Sequence, residues 1–183
     1  MPSKAENTLD KLLGTLFLFH FREIYVSNIP KLLKELYNLD CTIPTEFQHL
    51  ALCRYDFAVP LGDSLCFIEF DGINHFEFTP RYDKTPSAFL ERVERDVNKT
   101  KLVMSLPHCK LLRISAYCDN WQQCITNFVM NDNNSVSFSD SEVYSCVWKD
   151  RLTCYPSTNL RQAFFDYDHE QHKIINAYRV YNR

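Results

Sequence analysis

Glycine is scarce in this chain of 183 residues: there are three. That argues against Gly-rich phosphate loops and against repeat folds. Neither G-x-x-x-x-G-K nor G-x-G-x-x-G occurs, which disfavours nucleotide-hydrolysing and dinucleotide-binding domains. No C-x-x-C pair is present, so the eight cysteines lack the usual signature of a ribbon or treble-clef zinc site. The group His108, Cys109, Cys118 and Cys124 is a poor zinc cluster for the same reason. No long apolar run occurs either. The stretch from Leu16 to Phe19 is too short to span a bilayer and is followed by His20 and Arg22. The polar start, Met-Pro-Ser-Lys-Ala-Glu-Asn, does not read as a signal peptide. These absences lead us to expect an intracellular protein of the cytoplasm or nucleus. It would not be secreted, would have no membrane partner, and would hold its thiols free and mostly buried. Strong net charge is also missing: the formal value is −3, so the chain is not basic throughout. Between Arg92 and Arg113, however, Arg92, Arg95, Lys99, Lys101, Lys110 and Arg113 face only Glu94 and Asp96. Such a local excess suits phosphate groups.

What is present is apolar and aromatic residue, 45% and 14% of the chain, enough to fill the core of one domain. Apolar spacing predicts a helix over 8–20 and a second one opened by Pro30. Residues 50–59 and 65–70 read as two strands of a hairpin, apolar on both faces as in a buried sheet. A loop over 72–86 follows. Thr85 and Pro86 then supply an N-cap and first position for a helix to about Met104, which Pro107 ends. Lys110 to Ser115 reads as a strand and Trp121 to Met130 as an amphipathic helix. The expected class is α/β, a mixed sheet with helices around it. Residues 1–130 form the expected core domain, and 131–142 a polar loop or linker. Residues 143–183 form a strand–helix extension packed on the core, with a strand over 143–148 and a helix from about Leu160.

The hairpin concentrates the chemistry. Gly62-Asp63 is a favoured central pair for a type II′ turn. With that turn, Leu61 pairs with Ser64, and the register carried outward sets Asp56 opposite Glu69. As a non-hydrogen-bonded pair, their Cα atoms would lie about 4.5 Å apart. Like charges directly opposite each other destabilise a sheet, so such a pair either raises one pKa or holds a cation. Asp71 lies on the same strand face as Glu69, and His75 lies just beyond the strand end. On the next helix Arg92, Asp96 and Lys99 stand at i, i+4 and i+7, and Arg113 follows on the next strand. Acids of this kind can hold Mg²⁺ or Mn²⁺ with substrate phosphate completing the shell. Lys99 or His75 would then supply a proton acceptor or a second positive charge. The bland alternatives are a turn at Asp71-Gly72, an ion-pair ladder at Arg92, Asp96 and Lys99, and a structural partnership of Arg113 with Asp96 or Asp71. A rival group, Asp166, Asp168, His169 and His172, has helical metal spacing but does not match the H-E-x-x-H pattern, since its histidines stand at i and i+3.

The series R-x-D-F (Arg54 to Phe57), I-E-F-D-G-x-x-H (Ile68 to His75), R-D-x-x-K (Arg95 to Lys99) and L-L-R-I (Leu111 to Ile114) resembles the very-short-patch-repair-endonuclease-like branch of the PD-(D/E)XK nuclease superfamily. The resemblance covers about residues 50–115. It implies a restriction-endonuclease-like fold, a central mixed sheet flanked by helices, with 1–130 as a nuclease-like core. It implies a metal-dependent endonuclease that hydrolyses phosphodiester bonds in nucleic acid, DNA rather than RNA. Asp56 would be the aspartate of the first motif and Glu69 the acid of the second. Asp56, Glu69 and Asp71 are the expected metal ligands for Mg or Mn. His75 and Lys99 join them as catalytic residues, with Arg92, Asp96, Lys101 and Arg113 in support. Asp71 stands where the superfamily usually has lysine, which passes that role to His75 and Lys99. The superfamily often adds an acid from the first helix, for which Glu23 and Glu35 are candidates. Double-strand cutting by one small domain calls for a homodimer. Two other functions fit the sequence: an inactive nuclease-fold module that binds nucleic acid or protein, and a Mn-dependent RNA endonuclease of the cap-cleaving kind.

Overall fold

Five strands order as β1-β2-β3-β4-β5 in one mixed sheet in the computed structural model, which describes residues 3–130, 136–139 and 144. The elements are α1 (Lys4–Leu16), β1 (Phe21–Tyr25), α2 (Ile29–Tyr37), β2 (Arg54–Leu61), β3 (Ser64–Asp71), α3 (Pro86–Ser105), β4 (Cys109–Ser115), α4 (Trp121–Met130) and β5 (Val136–Phe138). Strands β1, β2 and β3 form an antiparallel meander, and β4 and β5 add in parallel. The described residues are therefore α/β, with a five-stranded mixed sheet flanked by helices. Among the described residues no helix is long and apolar enough to cross a membrane.

Alternation along the strands sorts side chains into two cores. Leu65 and Phe67 of β3 and Leu111 of β4 pack with Ile29 and Leu33 of α2, Phe47 and Leu50, and Leu102 and Val103 of α3. On the opposite face Cys66 and Ile68 of β3 and Leu112 and Ile114 of β4 pack with Leu9 and Leu13 of α1 and Ile125 and Phe128 of α4. Each fully buried Leu or Phe here removes apolar surface worth about 1.5–3 kcal/mol from water. Glu69 and Asp71 continue the Leu65–Phe67 row and Arg113 the Leu111 row, so all three point toward α3.

The hairpin forms in the expected register, from Leu61↔Ser64 to Phe57↔Ile68. Gly62 has φ +55 and Asp63 is not among the positive-φ residues, the φ pattern of a type II′ turn, where glycine meets no steric penalty. The paired ladder stops one residue short of Asp56. There the Asp56 carboxylate instead accepts the Phe70 N–H at 2.8 Å. The alternation of β2 also slips at this point. Tyr55 lies in the first core and Phe57 in the second, although i and i+2 normally share a face. Glu23, between the pairs Arg22↔Phe57 and Ile24↔Tyr55, has φ +50. Both strands are therefore irregular at the level of Asp56, the kind of break that re-aims a side chain.

Four elements differ from the sequence reading. The first hairpin strand runs over 54–61 rather than 50–59, because Thr45–Leu50 forms a 3-10 helix. The first helix runs over 4–16 rather than 8–20, β1 was not expected, and β5 lies inside the segment read as a linker. Of the expected strand over 143–148 only Tyr144 is described, and it is helical. The expected helix from Leu160 and the group Asp166, Asp168, His169 and His172 lie outside the described residues.

Candidate functional site

At the parallel C-terminal ends of β3 and β4, under α3, the apolar row gives way to charge. Glu69, Asp71, Asp96, Lys99, Thr100 and Arg113 are all buried there, and His75 is half-buried. Burying so many ionisable groups is tolerable only if they satisfy one another.

They do so as two groups. In the first, the Lys99 ammonium bonds Glu69 Oε1 and lies 4.8 Å from the centre of the Tyr55 ring. The Tyr55 hydroxyl donates to the Lys99 carbonyl oxygen at 2.7 Å, which ties β2 to α3. Burial pushes the Glu69 carboxyl up to about 7; Lys99 opposes the rise and the charge of nearby Asp56 adds to it. Burial likewise raises Asp56, opposed by the Phe70 N–H and by Lys99. Asp56 Oδ1 and Glu69 Oε2 make no hydrogen bond among the described residues.

In the second group Arg113 grips Asp71 with both arms, Nε to Oδ2 at 2.8 Å and Nη2 to Oδ1 at 2.5 Å. The Tyr144 hydroxyl donates to Asp71 Oδ2 at 2.7 Å, and burial together with the charge of Asp71 raises the pKa of that phenol. His75 Nδ1 lies 2.8 Å from Asp96 Oδ2 and 3.2 Å from Asp71 Oδ1. Burial alone would lower His75, but Asp96 outweighs it and the net shift is upward. Burial would raise Asp96, yet the His75 charge and hydrogen bond, then Arg113 and Lys99, hold it well below the usual carboxylate range. The Asp96 bond also places the imidazole proton on Nδ1 and leaves Nε2 to exchange protons.

Asp71, His75 and Asp96 offer ligand atoms within 4.8 Å of one another, enough to hold a cation in principle. Their atoms already bond one another, however, and the Arg113 guanidinium supplies the positive charge. Asp71, expected as a metal ligand beside Asp56 and Glu69, is thus placed with Arg113. This settles the partnership of Arg113 in favour of Asp71, with Asp96 at 3.9 Å.

The supporting residues divide. Asp96 and Arg113 join the cluster. Arg92 instead pins the loop that carries His75: it donates to the Asn74 carbonyl at 3.0 Å and pairs with buried Asp83. Lys101 follows Lys99 by two positions, about 200° round α3, and so projects from the other side of the helix. Glu23 pairs with Arg54 on β1 and β2, and Glu35 pairs with Lys31 on α2. The acid from the first helix that does act on Asp56 is Glu6, whose charge raises it. Its signal was the capping box Ser3-x-x-Glu6, since Ser3 Oγ accepts the Glu6 N–H at 3.0 Å. Tyr55 and Tyr144 were also missed. Tyr55 lies inside the R-x-D-F motif, but no local pattern points from Tyr144 to Asp71, 73 residues away.

Comparisons of the chain with protein-family models, with curated proteins and with solved structures give no match.

Proposed function

We propose that this chain is a metal-dependent endonuclease acting on nucleic acid, with DNA as its substrate. The observation that carries the reading is the pair Asp56 and Glu69. Two neighbouring carboxylates are both pushed upward, and each keeps one oxygen without a hydrogen bond among the described residues. Such a pair sets two carboxylates against the single ammonium of Lys99 and offers only hard oxygen donors, which fits Mg²⁺ or Mn²⁺. A mixed sheet flanked by helices is the architecture that the nuclease resemblance implies, and it supports the finer reading of a restriction-endonuclease-like fold.

Asp56 and Glu69 would hold the ion. When bound, it would polarise a phosphate oxygen and lower the pKa of water. Lys99 neutralises Glu69 in the resting protein and remains beside it to face the negative phosphate. His75, oriented by Asp96, accepts or returns a proton through Nε2. Asp71 and Arg113 form the rigid floor against which His75 is set, and Arg92 holds the loop that delivers it.

The test is incubation with plasmid, single-stranded DNA and RNA in Mg²⁺ and in Mn²⁺. The expected result is metal-dependent nicking or linearisation of DNA. Asp56→Asn and Glu69→Gln should each lower the rate by about 10²-fold or more with folding intact. Full activity in these variants would refute the assignment, and a preference for RNA with Mn²⁺ would move it to the cap-cleaving class. One observation favours an inactive binding module: the Lys99 ammonium already occupies Glu69. DNA binding without any calorimetric Mn²⁺ binding would establish that reading instead.

A further inference from the structure

Cys118 lies in the turn that leaves β4, Cys124 lies one turn into α4, and their sulfurs are 3.3 Å apart. Both are free thiols, and both are partly exposed. The backbone around them is fixed. The Cys118 N–H donates to the Ser115 carbonyl at 3.1 Å, and the Cys124 N–H to the Asn120 carbonyl at 3.2 Å. Trp121 Nε1 donates to the Cys118 carbonyl at 2.9 Å, and Asn120 Oδ1 accepts the Gln123 N–H at 3.0 Å. The nearness of the two sulfurs is therefore set by the turn. A disulfide needs about 2.05 Å, so closure asks the sulfurs to approach by about 1.3 Å, within reach of side-chain rotation. Cys66 and Cys109 are different. They are buried, out of reach of a dissolved oxidant, whereas Cys118 and Cys124 are partly exposed.

We propose that Cys118 and Cys124 form a reversible dithiol–disulfide pair, a modification site whose oxidant is a low-molecular-weight disulfide. The Cys118 thiolate attacks one sulfur of the small disulfide, forming a mixed disulfide and expelling one small thiolate. Cys124 then loses its proton, attacks Cys118 Sγ and expels the second small thiolate. Two cysteine thiols are oxidised, one small disulfide is reduced to two thiols, and the two cysteine protons end on those thiols. Burial, together with the Cys118 contact, pushes Cys124 up to about 11, which makes it the slower, resolving partner. Closure would lock the root of α4. There Trp121 packs on Phe70 with ring centres 5.1 Å apart, and the Phe70 N–H is the one that Asp56 accepts. The site stands on its own geometry and does not depend on the nuclease reading.

The experiment treats the full chain with oxidised glutathione at about pH 8.5, close to the ordinary thiol pKa, then alkylates it and maps peptides by mass spectrometry. A Cys118–Cys124 link, two hydrogens lighter and reversed by dithiothreitol, is expected. The oxidised protein should melt a few degrees higher than the reduced one. Cys124→Ser should trap glutathione on Cys118 instead. Recovery of both wild-type cysteines in alkylated form would overturn the proposal. So would a stable glutathione adduct on wild-type Cys118, or a link from either cysteine to any other.

Discussion

Replacing Arg113 by methionine tests how the charged cluster is held. The guanidinium bonds both oxygens of Asp71, at 2.8 and 2.5 Å, and both side chains have no exposed surface. Methionine keeps much of the apolar stem, so the loss is mainly electrostatic. Asp71 would keep the Tyr144 hydroxyl and His75 Nδ1 but lose its full positive partner. Removing one member of a buried pair costs about 3–5 kcal/mol, because the other is left as an uncompensated buried charge. Urea unfolding at neutral pH should show Arg113→Met weaker by about 3–5 kcal/mol. Combining it with Asp71→Leu should recover about 2 kcal/mol, because an apolar pair replaces the lone charge. A single variant within about 1 kcal/mol of the parent, or a double variant no better than the single, would refute the reasoning.

His75 has a raised folded pKa, so its stabilising charge is fully present below about 6.5 and is lost as pH rises through the folded value. His75→Gln should therefore lower the melting temperature in mild acid and flatten the alkaline decline, read from melts across pH. Glu23 sits at φ +50, where a Cβ is strained and glycine is not, and its ion pair with Arg54 is exposed. Glu23→Gly should match or exceed the parent in urea, whereas Glu23→Val should lose about 1–2 kcal/mol. Tyr55→Phe removes the hydroxyl bond to the Lys99 carbonyl and should cost about 1–2 kcal/mol in the same assay.

The sequence was most readable where one local rule decided the structure. Gly62-Asp63 fixed the turn, the turn fixed the hairpin register, and alternation then set Glu69 and Asp71 on the face toward α3. Thr85 and Pro86 placed α3 correctly, and the i, i+4, i+7 spacing brought Asp96 and Lys99 to the site. What stayed hidden was pairing across the sheet. Glu69 and Asp71 are two residues apart and look equivalent in sequence, yet each faces a different cation. In the parallel register Asp71 meets Ser115 and Glu69 meets Arg113, but the guanidinium reaches past its own partner to Asp71. Lys99, arriving from α3, takes Glu69. That division changes the meaning of the Asp71 position, where the resemblance would place a lysine. The positive charge is not missing from the site. Arg113 brings it from the neighbouring strand and Lys99 from the helix above, and the acid at Asp71 is the anchor that keeps Arg113 in place.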